Sequence, residues 1–169
     1  MTYQRFEDLP VWNAAIELAE GCEDFLSVAK DRISWSKRDQ LERASLSVSN
    51  NIAEGFERGT TNELLSFLYI ARGWAGEVRS MLNYFERRPA LKDFKSQISN
   101  LRSQAESCSR QIRAWADSLQ NSPIKGQRHL NDATRNRDEQ KKKANAFLEK
   151  LNNALPAGHP AKKTSKHPV

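Results

Sequence analysis

From Leu91 to Leu119 the chain places apolar residues at Leu91, Phe94, Ile98, Leu101, Ala105, Cys108, Ile112, Trp115 and Leu119, in steps that alternate three and four. A strand cannot use this spacing, because its side chains change face at every residue, whereas a helix gathers it into one stripe. Held over four heptads, the period also requires a second helix packed along the stripe. Helix-on-helix packing is therefore the first thing the chain commits to. The preceding residues permit it, since three of the six prolines (Pro156, Pro160 and Pro168) fall in the last fourteen positions and breakers are sparse before them.

Three earlier segments carry matching stripes. After Asp8-Leu9-Pro10, with Pro10 suited to a first helical turn, Val11, Ala15, Leu18, Cys22 and Phe25 mark a helix over about 10–30. Leu41, Ser45, Val48, Ile52 and Phe56 mark a second over about 36–57, with Ser34 or Ser36 available as its cap. Gly59 ends that segment, and Thr60-Thr61-Asn62-Glu63 has the spacing of a capping box, in which hydroxyl and carboxylate satisfy each other's orphan amides. The third helix carries an apolar arc wider than one seam needs, from Leu64 and Leu65 through Ile70, Trp74 and Met81 to Phe85, so it touches neighbours on two sides. Arg87-Arg88-Pro89 ends it. Short connections make consecutive helices antiparallel, which predicts an all-α, up-down four-helix bundle over 1–121.

The charge divides unevenly along the chain. Residues 1–121 hold 16 Lys and Arg against 17 Asp and Glu, while residues 122–169 hold 11 against 4. A near-neutral body thus carries a cationic arm, a composition suited to anionic partners. Within the arm, 122–131 reads as a linker, 132–155 as an amphipathic basic helix with an apolar face of Phe147, Leu148, Leu151 and Leu155, and 156–169 as a disordered tail. No apolar leader or 18-residue apolar run is seen, and the two cysteines, Cys22 and Cys108, sit at apolar helical positions, so a cytoplasmic protein with buried thiols and no membrane association is expected.

Residues that carry chemistry are missing from the predicted bundle. His129, His159 and His167 all lie in the arm, so no histidine serves the bundle as base or metal ligand. The Glu-x-x-His pair of a bundle di-metal site, a phosphate-binding glycine loop and a nucleophile elbow are all absent. Glu54 and Arg58, four apart, read as a surface ion pair. No enzyme, cofactor or small-molecule substrate is expected. Binding is left. Arg72 and Arg79 repeat at seven residues on the third helix, as do Lys95 and Arg102 on the fourth, with Lys92 and Arg113 on an adjoining face; such stripes are either solvated or intersubunit surfaces, or a ridge that contacts phosphates. The run Arg135, Arg137, Lys141, Lys142 and Lys143, diluted by acidic residues, suits sequence-independent contact with nucleic acid.

Several blocks then carry a resemblance: Phe6-Glu7-Asp8-Leu9-Pro10-Val11-Trp12, Gln40-Leu41-Glu42-Arg43-Ala44, Asn51-Ile52-Ala53-Glu54-Gly55, and Phe67-Leu68-Tyr69-Ile70-Ala71-Arg72-Gly73 with Glu77. Over about 6–120 the chain resembles the four-helix bundle family first noticed in open reading frames of intervening sequences in bacterial 23S ribosomal RNA genes, whose relatives include the accessory variability determinants of diversity-generating retroelements. The resemblance implies a homopentameric ring or barrel and, for the retroelement branch, a basic surface that binds a reverse transcriptase and template RNA. The chain departs from the family pattern at Ser49-Asn50-Asn51, where a proline is common, and at Glu42-Arg43, where two basic residues are common. The block from Asn51 to Gly55 reads as structural: it buries Ile52 and Ala53 and lets Gly55 approach a neighbour closely.

Two functions are consistent with these features. One is a non-catalytic oligomeric scaffold that binds RNA and a reverse transcriptase, as an accessory factor of a diversity-generating retroelement; the other, without direct nucleic-acid binding, is a protein-interaction adaptor that uses the Phe147, Leu148, Leu151 and Leu155 face as a helix-in-groove ligand, or an rRNA intervening-sequence-encoded bundle protein of unknown role.

Overall fold

The computed structural model describes residues 3–121 and 132–154. The chain is all-α, with α1 (Pro10–Val28), α2 (Trp35–Glu57), α3 (Thr61–Glu86) and α4 (Lys95–Gln120) in the first of two compact units and α5 (Asp132–Ala154) in the second. In the first unit α1 packs on α2, α2 on α3, α3 on α4, and α4 back on α1, which closes an up-down bundle. The linker expected over 122–131, the tail over 156–169 and Leu155 lie outside the described residues.

Local signals place the helix ends. Pro10 takes the first position of α1, where its missing N–H costs nothing. Gly59 holds φ 80 after α2, a left-handed conformation that stops the helix. Thr60 caps α3 by accepting the Glu63 amide at 3.2 Å, but the second half of the box differs from the expected one: the Glu63 carboxylate accepts the Thr60 hydroxyl proton at 2.6 Å. Ser34 occupies the cap position of α2 without a side-chain capping bond, and its Oγ accepts from Lys37 Nζ at 3.2 Å.

The core is one continuous apolar cluster. Phe25 and Phe85 are fully buried and meet with ring centroids 6.0 Å apart, and Phe94 closes on Phe25 at 5.9 Å. Cys22 and Cys108 are buried free thiols, both pushed up to about 12 because desolvation penalises the thiolate. Buried Ser45 and Ser49 donate to the carbonyls of Glu42 and Leu46 at 2.9 and 3.0 Å, so neither hydroxyl is orphaned. Gly55 is buried where α2 meets α3 as the sequence implies, although Ala53 beside it is only half-buried.

The fourth stripe shifts in two places. Residues Pro89–Phe94 form a 3-10 turn rather than the first turn of α4. At the other end Ala116 takes the fully buried position, while Trp115 and Leu119 are half-buried. An α-helix of 3.6 residues per turn drifts by about 20° per heptad against a strict 3.5 period, and after three heptads the neighbouring position faces inward.

Candidate nucleic-acid interface

In an up-down bundle the connections α1–α2 and α3–α4 lie at one end, and here they touch: Arg32 Nη1 donates to Asp93 Oδ2 at 2.8 Å and to the Ala90 carbonyl at 3.1 Å. Residues 28–39 and 86–95 bring Lys30, Arg32, Lys37, Arg38, Arg87, Arg88, Lys92 and Lys95 to that end, against Asp31, Asp39, Glu86 and Asp93. The opposite end, formed by residues 3–8, 54–63 and 113–121, carries Arg5, Arg58 and Arg113 against Glu7, Asp8, Glu54, Glu57, Glu63 and Asp117. The near-neutral bundle is therefore polarised lengthwise.

Part of the acidic charge at the basic end is already occupied. Asp39 forms an ion pair with Arg43 at 3.2 Å, and Glu86 pairs with Arg102 of α4. The cations are held by different means. The Arg32 guanidinium lies 5.7 Å from the Phe94 ring centroid, and that of Arg88 lies 5.7 Å from the ring of Tyr84. The Nε of Arg38 is buried and has no partner. Arg32, Lys37 and Arg88 line a recess of about 200 Å³ with Ser34, Tyr84 and the apolar floor of Ile33, Phe85 and Leu91.

A second depression, of about 410 Å³, runs between α2 and α3 and is lined by Trp35, Asp39, Gln40, Arg43, Ser47, Trp74 and Glu77. Gln40 Nε2 donates to Glu77 Oε1 across it at 3.1 Å. Leu46, Tyr69 and Ile70 are exposed on the same two helices.

The basic residues singled out from the sequence are not brought together as two stripes. Lys92 and Lys95 are exposed at the basic end, but Arg102 is half-buried, bonded to Glu86 and to Asn83 Oδ1 at 3.2 Å. Arg113 faces Asp117 at 3.6 Å near the opposite end, Arg79 is exposed on α3, and Arg72 is half-buried. On α5, Lys141 and Lys143 are exposed, as are Phe147, Leu148 and Leu151; Arg135, Arg137 and Lys142 also belong to this helix. Glu54 and Arg58 form the surface ion pair, which holds the Arg58 pKa above its ordinary value.

Arg32, Lys37, Arg87, Arg88 and Trp35 were not singled out by spacing, since they occupy helix ends and connections where no periodicity applies. The usable signal was topological: in an up-down bundle, alternate connections share an end. Among the described residues no group of three or more metal-ligating side chains comes together, and no helix is long and apolar enough to cross a membrane.

Comparison with known proteins adds one finding. The family model described as 23S rRNA-intervening sequence protein matches residues 7–114. No curated protein and no solved structure gives a match.

Proposed function

Because the chain belongs to the 23S rRNA-intervening sequence protein family, we propose that it is a non-catalytic, self-associating scaffold that binds RNA and presents it to a reverse transcriptase, as an accessory factor of a diversity-generating retroelement. The observation that carries RNA binding is the lengthwise polarisation, which concentrates cations from two separate segments on one end of a body with almost no net charge. Phosphate contacts of this kind release counterions, so the affinity depends steeply on salt and little on sequence. In a self-associated form several such ends act on one strand, which multiplies weak contacts. The cationic arm, with Lys141 and Lys143 exposed on α5, adds contacts of the same type.

The test is an RNA-binding titration over a range of salt concentrations, with charge reversal at each end. Arg87→Glu with Lys92→Glu weakens binding and flattens the salt dependence by roughly one unit per lost phosphate contact. Arg5→Glu at the opposite end changes neither. Absence of binding at low salt removes RNA from the proposal.

The exposed Phe147, Leu148 and Leu151 face of α5 favours a second reading, a protein-interaction adaptor. Partners that stay bound through nuclease treatment, and are lost with Phe147→Ala and Leu151→Ala together, support that reading.

A further inference from the structure

Ser34 lines the recess at the basic end, and the next residue, Trp35, is 74% exposed, more than any other large apolar side chain among the described residues. A single exposed apolar residue needs no explanation. This indole is a different case: it opens α2 directly after Ser34 of the recess and lines the neighbouring depression between α2 and α3, and base stacking on aromatic rings beside a basic groove is the recurring way proteins hold unpaired nucleic acid.

The recess itself suits one phosphate. Arg32 is matched by Asp93, but Lys37 and Arg88 form no ion pair with a described carboxylate; Lys37 bonds the Ser34 hydroxyl and Arg88 lies over Tyr84. Ser34 forms no side-chain cap on α2; the Lys37 and Arg38 amides donate to the Ser34 carbonyl at 3.0 and 3.1 Å, which leaves the Trp35 and Ser36 amides as the first-turn donors without an intrahelical acceptor. At about 200 Å³ the space is below the ~300–1,000 Å³ of pockets that take a whole small molecule.

We infer that the basic end of the bundle holds single-stranded RNA, with one phosphate in the recess between Arg32, Lys37 and Arg88 and an adjoining base stacked on Trp35. The inference rests on the RNA-binding reading above and narrows it. A duplex keeps its base faces inside the stack, so a projecting indole offers a surface only to an unpaired base.

The experiment uses the full chain and two labelled RNAs: an unstructured strand of about 12 nucleotides, within the ~4–16 that such sites cover, and a blunt duplex of the same length. Trp35→Ala lowers affinity for the strand about 5- to 100-fold, leaves duplex affinity unchanged and abolishes quenching of tryptophan fluorescence by the strand. Trp35→Phe keeps most of the affinity. Lys37→Glu with Arg88→Glu weakens strand binding and lowers its salt slope by roughly one to two. Equal strand affinity in Trp35→Ala and the parent protein overturns the inference, as does a change in oligomeric mass on Trp35→Ala, which would assign the indole to a contact between copies. If the parent protein binds the duplex with no preference for the strand, the inference fails and the RNA-binding reading stands; if it binds neither RNA, both fail.

Discussion

At Gly55 a methyl group would lie 2.6 Å from Phe67 Cβ and 3.4 Å from the Leu64 carbonyl, positions fixed by the α3 backbone rather than by a flexible side chain. Glycine inside a helix ordinarily costs about 0.5–1 kcal/mol relative to alanine, so its presence here is explained by the close approach of α2 to α3. Gly55→Ala is expected to destabilise the bundle by about 1–3 kcal/mol, measured by denaturant unfolding. The control is Gly73→Ala, where nothing lies within 4 Å and a gain of about 0.5–1 kcal/mol is expected. The cysteines set a pH limit at the same scale. Burial lifts both folded-state thiols from the ordinary 9.0 to about 12, so the unfolded chain loses these protons first. Stability contributed by the neutral thiols is complete below pH 9 and declines as the pH rises towards 12. Thermal unfolding across that window checks this, with Cys22→Ala and Cys108→Ala reducing the slope. The close packing at Gly55 was legible in the sequence as a small residue near a helix end, but Ala53, also expected inside, faces partly outward because its position on α2 lies off the buried face.

Among the elements, α3 has the best-defined start. Thr60 accepts the Glu63 amide and gives its own proton to the Glu63 carboxylate, which couples cap and first turn. Thr60→Ala is expected to cost about 1 kcal/mol, with Glu63→Gln costing less because an amide oxygen still accepts the hydroxyl; chemical denaturation ranks the two. The helices themselves were legible as apolar periods, and their ends were marked by Pro10 and Gly59. The 3-10 turn over Pro89–Phe94 and the handover from Trp115 to Ala116 were not legible. Both depend on how a straight helix drifts against its neighbours, which a repeat counted along one chain does not contain.

For the whole molecule, net charge proved a poor guide to surface potential. Residues 1–121 nearly cancel in total, yet folding leaves cations in excess over carboxylates at one end and carboxylates in excess over cations at the other. The exposed apolar residues are uneven too, with Leu46, Tyr69 and Ile70 on α2 and α3 left partly in water. Burying such side chains stabilises by roughly 1.5–3 kcal/mol each, so a self-associating scaffold is expected to use them. Light scattering coupled to size-exclusion chromatography should give a multiple of 19.3 kDa, and Ile70→Glu should give the single-chain mass with helicity retained. An unchanged mass in that variant places the contact elsewhere.

The sequence by itself determined that this chain is a bundle of four helices followed by a fifth in a basic arm, because apolar period and helix-end chemistry are local properties written within a few turns. It also determined that the bundle contains no histidine. The tertiary structure alone decided which cations act together. Arg32 and Arg88 are 56 residues apart in the chain yet line one recess, while Lys95 and Arg102, one heptad apart, are separated in role by the Glu86 carboxylate that ties Arg102 to α3. Charge acts through space, over about 8–10 Å in physiological salt, and that distance is set by the antiparallel return of the helices.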